Sequence, residues 1–119
     1  MEEKTPLIDE STFTELEEIM EDEEGMLELI DSFLEDGEVV VNKITKSYQE
    51  SDVEECKRQA HTLKGSSANL GLTALGNLCK TLDRAGKAGN LPSSSQIKQL
   101  HQIYQETVSA LKEKRNKYA

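Results

Sequence analysis

"MLELIDSFLEDGEVVVNKITKSY", residues 26–48, decides the fold. Met26, Ile30, Phe33, Gly37, Val41, Ile44 and Tyr48 follow one another at steps of three and four. That spacing lays one stripe along a 3.6-residue helix and excludes the alternation of a half-buried strand. Gly37 is the only non-apolar position in the row and reads as a tolerated gap. The stretch predicts a long amphipathic helix over about 24–50.

The same periodicity recurs on both sides. Upstream, Phe13, Leu16, Ile19 and Met20 give a short helix over about 12–21, with Ser11 or Thr12 as its N-cap and Glu15 at capping-box spacing from Thr12. Downstream, Ser51-Asp52 signals the next start. Its stripe is Val53, Cys56, Ala60, Leu63, Ser67 and Leu70, and Gly71 ends it. Another helix is expected over about 72–88, with Leu75, Leu78, Cys79, Leu82 and Ala85 inward. Residues 89–93, Gly-Asn-Leu-Pro-Ser, form the clearest loop. A last helix over about 94–114 turns Ile97, Leu100, Tyr104, Val108 and Leu111 inward, and the basic tail from Lys112 to Tyr118 is expected to fray. No stretch alternates as a strand would. The reading is all-α: an antiparallel up-down four-helix bundle with a short extra N-terminal helix across one end as a lid. At 119 residues it is one domain, 1–119.

Composition narrows the partners. The formal net charge is -9, which argues against nucleic acid or an anionic membrane. Residues 1–40 carry sixteen Asp/Glu and one Lys, whereas residues 41–119 carry seven Asp/Glu and thirteen Lys/Arg. The second part therefore sets a field that is not acidic. The longest apolar run is Val39-Val40-Val41 and the start, MEEKTPLIDE, has no apolar core, so a cytoplasmic protein without a membrane span is expected. Cys56 and Cys79 both fall on apolar stripes. With the hairpin turning near Gly71 they lie roughly 10 Å apart along the axis, too far for a disulfide.

One short segment breaks the pattern of a plain bundle. "AHTLKGSSANLG", residues 60–71, places His61 on the solvent flank of its helix, about 130° from the apolar stripe at 100° per residue. Lys57 at i-4, Arg58 at i-3, Lys64 at i+3, Gly65 at i+4 and Ala68 at i+7 share its neighbourhood. A glycine inside a helix costs roughly 0.5–1 kcal/mol relative to alanine. Its place beside His61, away from the core stripe, points to close approach by a partner. Imidazole ordinarily titrates near pH 6.5, so its neutral form can act as a nucleophile at cytoplasmic pH. Phosphoryl transfer asks mainly for positioning and charge compensation. Lys64 is placed to steady phosphoryl oxygens with little role in folding, and Lys57 and Arg58 could act at longer range.

These residues resemble a known family. H-T-L-K-G-S-S-A-N-L-G (61–71) and the following L-T-A-L-G-N-L-C-K-T-L-D-R-A-G-K-A-G-N-L (72–91) look like the signature of histidine-containing phosphotransfer (HPt) domains, and the likeness extends over about 9–112. The resemblance implies that His61 is the phosphorylated histidine, Lys64 the family's lysine and Gly65 its clearance glycine. It implies a phosphorelay role, in which His61 takes a phosphoryl group from an aspartyl phosphate on one receiver domain and passes it to an aspartate on another. The partners would be receiver domains of response regulators or of a hybrid sensor kinase, with Mg²⁺ on the receiver and no cofactor on this chain. A monomeric covalent carrier is expected, not an enzyme, because no P-loop or other ATP motif is present. Two rivals are a histidine-bearing substrate domain of a chemotaxis-type kinase and a helical interaction module without chemistry. A metal-bearing bundle is disfavoured: His61 and His101 are the only histidines and no Glu-x-x-His pair exists.

Overall fold

The computed structural model describes residues 5–118. Five helices follow in order: α1 (Glu10–Met20), α2 (Glu23–Gln49), α3 (Val53–Asn69), α4 (Thr73–Lys87) and α5 (Ser94–Arg115). No strand occurs among the described residues. The expected helix ends hold to within two residues.

Short polar side chains set most of the starts. Asp22 accepts from the Gly25 N–H at 2.7 Å, Asp52 from Glu55 at 3.1 Å, and Ser93 forms a reciprocal capping box with Gln96. The start of α1 corrects the sequence reading. Asp9 is its N-cap, accepting from the Ser11 N–H and the Thr12 hydroxyl, so Ser11 and Thr12 lie inside the helix. A carboxylate at the positive end of the helix outcompetes a hydroxyl two residues on. Helix α4 has no side-chain cap. Its Ala74 N–H instead donates to the Pro6 carbonyl at 3.1 Å, which ties the N-terminal segment to the α3–α4 turn.

The α3–α4 turn is a Schellman closure. The Gly71 N–H reaches the Ala68 carbonyl and the Leu72 N–H the Ser67 carbonyl, with Gly71 at φ 69°. The end of α2 closes in the same way, Ser51 to Tyr48 and Asp52 to Ser47, but with a serine in the left-handed position at φ 57°.

The core runs along the predicted stripes. Met26, Ile30, Phe33, Val41 and Ile44 of α2 are buried against Ala60 and Leu63 of α3, Leu75 and Leu82 of α4, and Leu100 and Leu111 of α5. Burying each large side chain contributes roughly 1.5–3 kcal/mol. Helix α2 packs on α3 and α5, and α4 packs on the same two, with α3–α4 the most extensive contact. Gly76 faces Ser67 and Gly86 faces Lys57, so α3 and α4 run antiparallel. Gly37 is more than a gap: a Cβ there would lie 3.1 Å from the Tyr104 ring, which occupies the space and donates its hydroxyl to the Leu34 carbonyl at 3.4 Å.

Two edges of the reading change. Ile19, expected inward, is 73% exposed, because α1 is anchored chiefly through Phe13. The basic tail is not frayed among the described residues. Arg115 makes a two-pronged pair with Asp31, at 2.6 and 3.1 Å, and Lys114 pairs with Glu10 and sits over the Phe13 ring. The last turn of α5 thereby clasps α1 and α2. Helix α1 lies beside this clasp and the α3–α4 turn, where the Asp9 N–H donates to the Gly71 carbonyl at 2.7 Å. Cys56 and Cys79 are free and buried, as expected. Burial pushes the Cys79 thiol up to about 12 and also raises that of Cys56, which disfavours the thiolate at both positions.

Candidate functional site

Helix α3 buries Cys56, Ala60, Leu63 and Ser67 and turns His61 outward, as its periodicity requires. The His61 side chain is 65% exposed. One turn further, Gly65 leaves a bare strip. A Cβ built there would meet no described atom within 4 Å, so the glycine serves no packing of a neighbouring helix. Ala68 continues the cleared strip and is exposed. His61, Lys64, Gly65 and Ala68 therefore share one open face.

The sequence reading missed the centre of the site. Asp83 on α4 is 3% exposed, and its Oδ2 faces His61 Nδ1 at 3.3 Å, Lys64 Nζ at 3.0 Å and Lys87 Nζ at 3.4 Å. Burial pushes the Asp83 carboxyl up, but hydrogen bonds from Lys64 and His61 and the charges of Lys64 and Lys87 outweigh it and hold it at about 2. The surroundings of the histidine are thus not purely cationic: one buried anion gathers two lysines and the imidazole. A signal for it existed. Asp83 follows Cys79 by four residues, on the inward side of α4, and aspartate is rarely buried without a partner. The hairpin register near Gly71 also brings position 83 close to position 61. Lys87, one turn on from Asp83, was missed for the same reason.

The other predicted cations are placed differently. Lys57 pairs with Glu54 at 3.2 Å and Arg58 with Glu55 at 3.2 Å, each one turn back on α3. Such surface pairs are worth little and are easily exchanged. The aliphatic stem of Lys57 has a second task, because it packs over Gly86, where an added Cβ would lie 2.6 Å from its own Cβ. Lys64 is tied to a buried carboxylate, so the expectation that it matters little for folding is revised upward. His101 lies on α5 with Nε2 2.9 Å from the Thr45 hydroxyl, a local structural role. No group of three or more His, Cys, Asp or Glu suited to a metal occurs among the described residues. No helix among them is long and apolar enough to cross a membrane.

Fold and site together define an all-helical domain that presents one oriented imidazole on an open, lysine-flanked face. Comparison with known proteins places it: the Hpt domain family matches residues 28–113, and the chain belongs to that family. It is 36% identical over 81 residues to the phosphorelay intermediate protein YPD1 of Candida albicans, a match covering 67% of this chain and 44% of that one. It is 32% identical over 82 residues to the multistep phosphorelay regulator 1 of Schizosaccharomyces pombe, covering 67% and 28%. The chain thus spans less than half the length of these curated relatives. The crystal structure of histidine-containing phosphotransfer protein B (HptB) from Pseudomonas aeruginosa PAO1 superposes with a TM-score of 0.88 at 27% identity, over 98% of this chain and 100% of that chain.

Proposed function

We propose that this chain is a phosphorelay intermediate of two-component signalling, with His61 as the residue that carries the phosphoryl group. The group arrives from an aspartyl phosphate on one receiver domain and leaves to an aspartate on another. The chain acts as a covalent carrier and not as a kinase. Its partners are receiver domains of response regulators or of a hybrid sensor kinase, and the Mg²⁺ that assists transfer belongs to the receiver. Residues 1–119 are one unit, an antiparallel up-down four-helix bundle with α1 as a lid, acting as a monomer in the cytoplasm. Lys64 steadies the phosphoryl oxygens and Gly65 gives the receiver clearance. Lys57, Arg58 and Ala68 contribute to the docking surface.

The observation that supports this best is the pairing of exposure with orientation at His61: an open ring on a cleared helix face, held by one nitrogen from below. The test is incubation with phosphorylated receivers. Wild-type protein is expected to acquire acid-labile label, His61→Gln none, and His101→Gln the wild-type amount. Label that enters only from ATP and a kinase domain would favour a chemotaxis-type substrate domain. Label that persists in His61→Gln would overturn the assignment.

A further inference from the structure

Helix α4 brings two lysines to the site face, and they differ. Lys87 lies 3.4 Å from the Asp83 carboxylate, whereas Lys80, one turn before Asp83, has no ion pair among the described residues. Its exposed side chain lines a cleft of about 280 Å³ between α1 and the α3–α4 hairpin. Lys64, Ala68 and Gly76 line it too, with Asp9 and Thr12 of α1 as the other wall. Lys64 is held by Asp83, and the Asp9 carboxylate already accepts from the Ser11 N–H at 3.1 Å and the Thr12 hydroxyl at 2.9 Å. Packing does not demand the glycine at 76, since an added Cβ would meet Ser67 Cβ at an ordinary 3.6 Å; its effect is to leave the cleft open. The cleft continues the bare strip at Gly65, because Ala68 lies seven residues, roughly 10 Å, along α3 from His61.

Charge selects the occupant. Residues 1–40 carry sixteen Asp/Glu against one Lys, so a partner's carboxylates are repelled from α1 and α2 and find their cations along α3 and α4. A domain that carries an aspartyl phosphate and Mg²⁺ needs further carboxylates to hold that metal. We propose that the receiver seats a carboxylate side chain in this cleft, with Lys80 as the docking cation that fixes how the receiver lies over His61. The proposal rests on receivers being the partners. Lys64 and Lys87 flank the imidazole, whereas Lys80 sets affinity and orientation without serving the phosphoryl group.

Transfer from one phosphorylated receiver into wild type, Lys80→Ala, Lys80→Glu and Lys98→Glu tests this, with thermal melts to confirm folding. Lys98 is exposed on α5 and outside the cleft, and its reversal changes the net charge by the same amount. At about 0.1 M salt the KM for the receiver should rise up to about fivefold in Lys80→Ala, the range of one exposed pair. In Lys80→Glu it should rise about tenfold or more, because like charges then meet. The kcat and the phosphohistidine lifetime should not change, and Lys98→Glu should match wild type. Near about 1 M salt, where charges are screened beyond about 3 Å, the differences should collapse. One Asp or Glu to Lys reversal on the receiver should restore Lys80→Glu and so identify the seated side chain. An unchanged KM in Lys80→Glu, an equal rise in Lys98→Glu, a loss confined to kcat, or failure of every receiver reversal to rescue overturns the proposal while labelling of wild type upholds the function. Should Lys80→Glu fail to fold, an unchanged KM in Lys80→Ala overturns it equally. A wild-type protein that takes no label from any receiver removes the function and this docking role together.

Discussion

Glycines at positions 65 and 86 lie on facing helices, and their replacement should move stability in opposite directions. At Gly65 a side chain meets open space. Gly65→Gln replaces the poorest non-proline helix former with a good one, a gain of about 0.5 kcal/mol. For a chain of this size that raises Tm by about 2 °C. At Gly86 an added Cβ would lie 2.6 Å from Lys57 Cβ, 2.9 Å from Cγ and 3.2 Å from the backbone Cα. Those atoms cannot swing aside as the tip of a side chain could, so α3 and α4 must part. Overpacking of this kind costs about 1–3 kcal/mol. A propensity gain of about 1 kcal/mol offsets part of it, which leaves Gly86→Ala destabilised by about 1 kcal/mol. Thermal melts of the two variants read the signs, and a receiver-transfer assay reads function. Gly65→Gln should be more stable and transfer poorly, since its side chain stands between the imidazole and the partner. A destabilised Gly65→Gln would refute the open-face geometry, and a stabilised, fully active one would refute partner clearance.

Lys64→Ala should shorten the phosphohistidine lifetime and also lower stability by about 1 kcal/mol, because it strips one donor from a buried carboxylate; chemical denaturation and label decay check the two effects separately. The Asp83 carboxyl is held at about 2 against an ordinary 3.8, so it contributes about 2 kcal/mol that is present in full above pH 4 and is lost as the pH falls towards 2. The stability difference between wild type and Asp83→Asn should therefore narrow over that window in urea titrations, and a difference that stays constant with pH would contradict it. Ser51→Gly should raise stability by up to about 1 kcal/mol, since a side chain in the left-handed closure of α2 is strained and glycine is not; a loss on melting would show that the serine side chain contributes there.

What the sequence revealed and what it hid follow from the reach of each signal. The helices were legible because their stripes repeat every three or four residues over 11 to 27 positions. The exposure of His61 followed from angle alone, and the role of Gly65 from its place on the solvent side. Asp83 was hidden because its meaning depends on another helix: on α4 it is one charged residue among several, and only the α3–α4 register brings it under the imidazole. Gly37 looked like a gap for the same reason, since Tyr104 fills it from 67 positions further along the chain. The grip of Arg115 on Asp31 joins parts of the chain that no local pattern connects.

The contact between Lys57 and Gly86 also bears on mechanical tolerance. A site divided between two helices works only while those helices stay in register. A slip of one residue along the axis is about 1.5 Å. Added to the 3.3 Å between His61 and Asp83, it would carry the pair beyond hydrogen-bond reach. The lysine stem seated in the notch at Gly86 resists such a slip as a detent resists a sliding bolt. The notch at Gly86 is only three residues along α4 from Asp83, so the stop lies close to the parts it keeps aligned. A partner pressing on the open face then loads a joint that has little play.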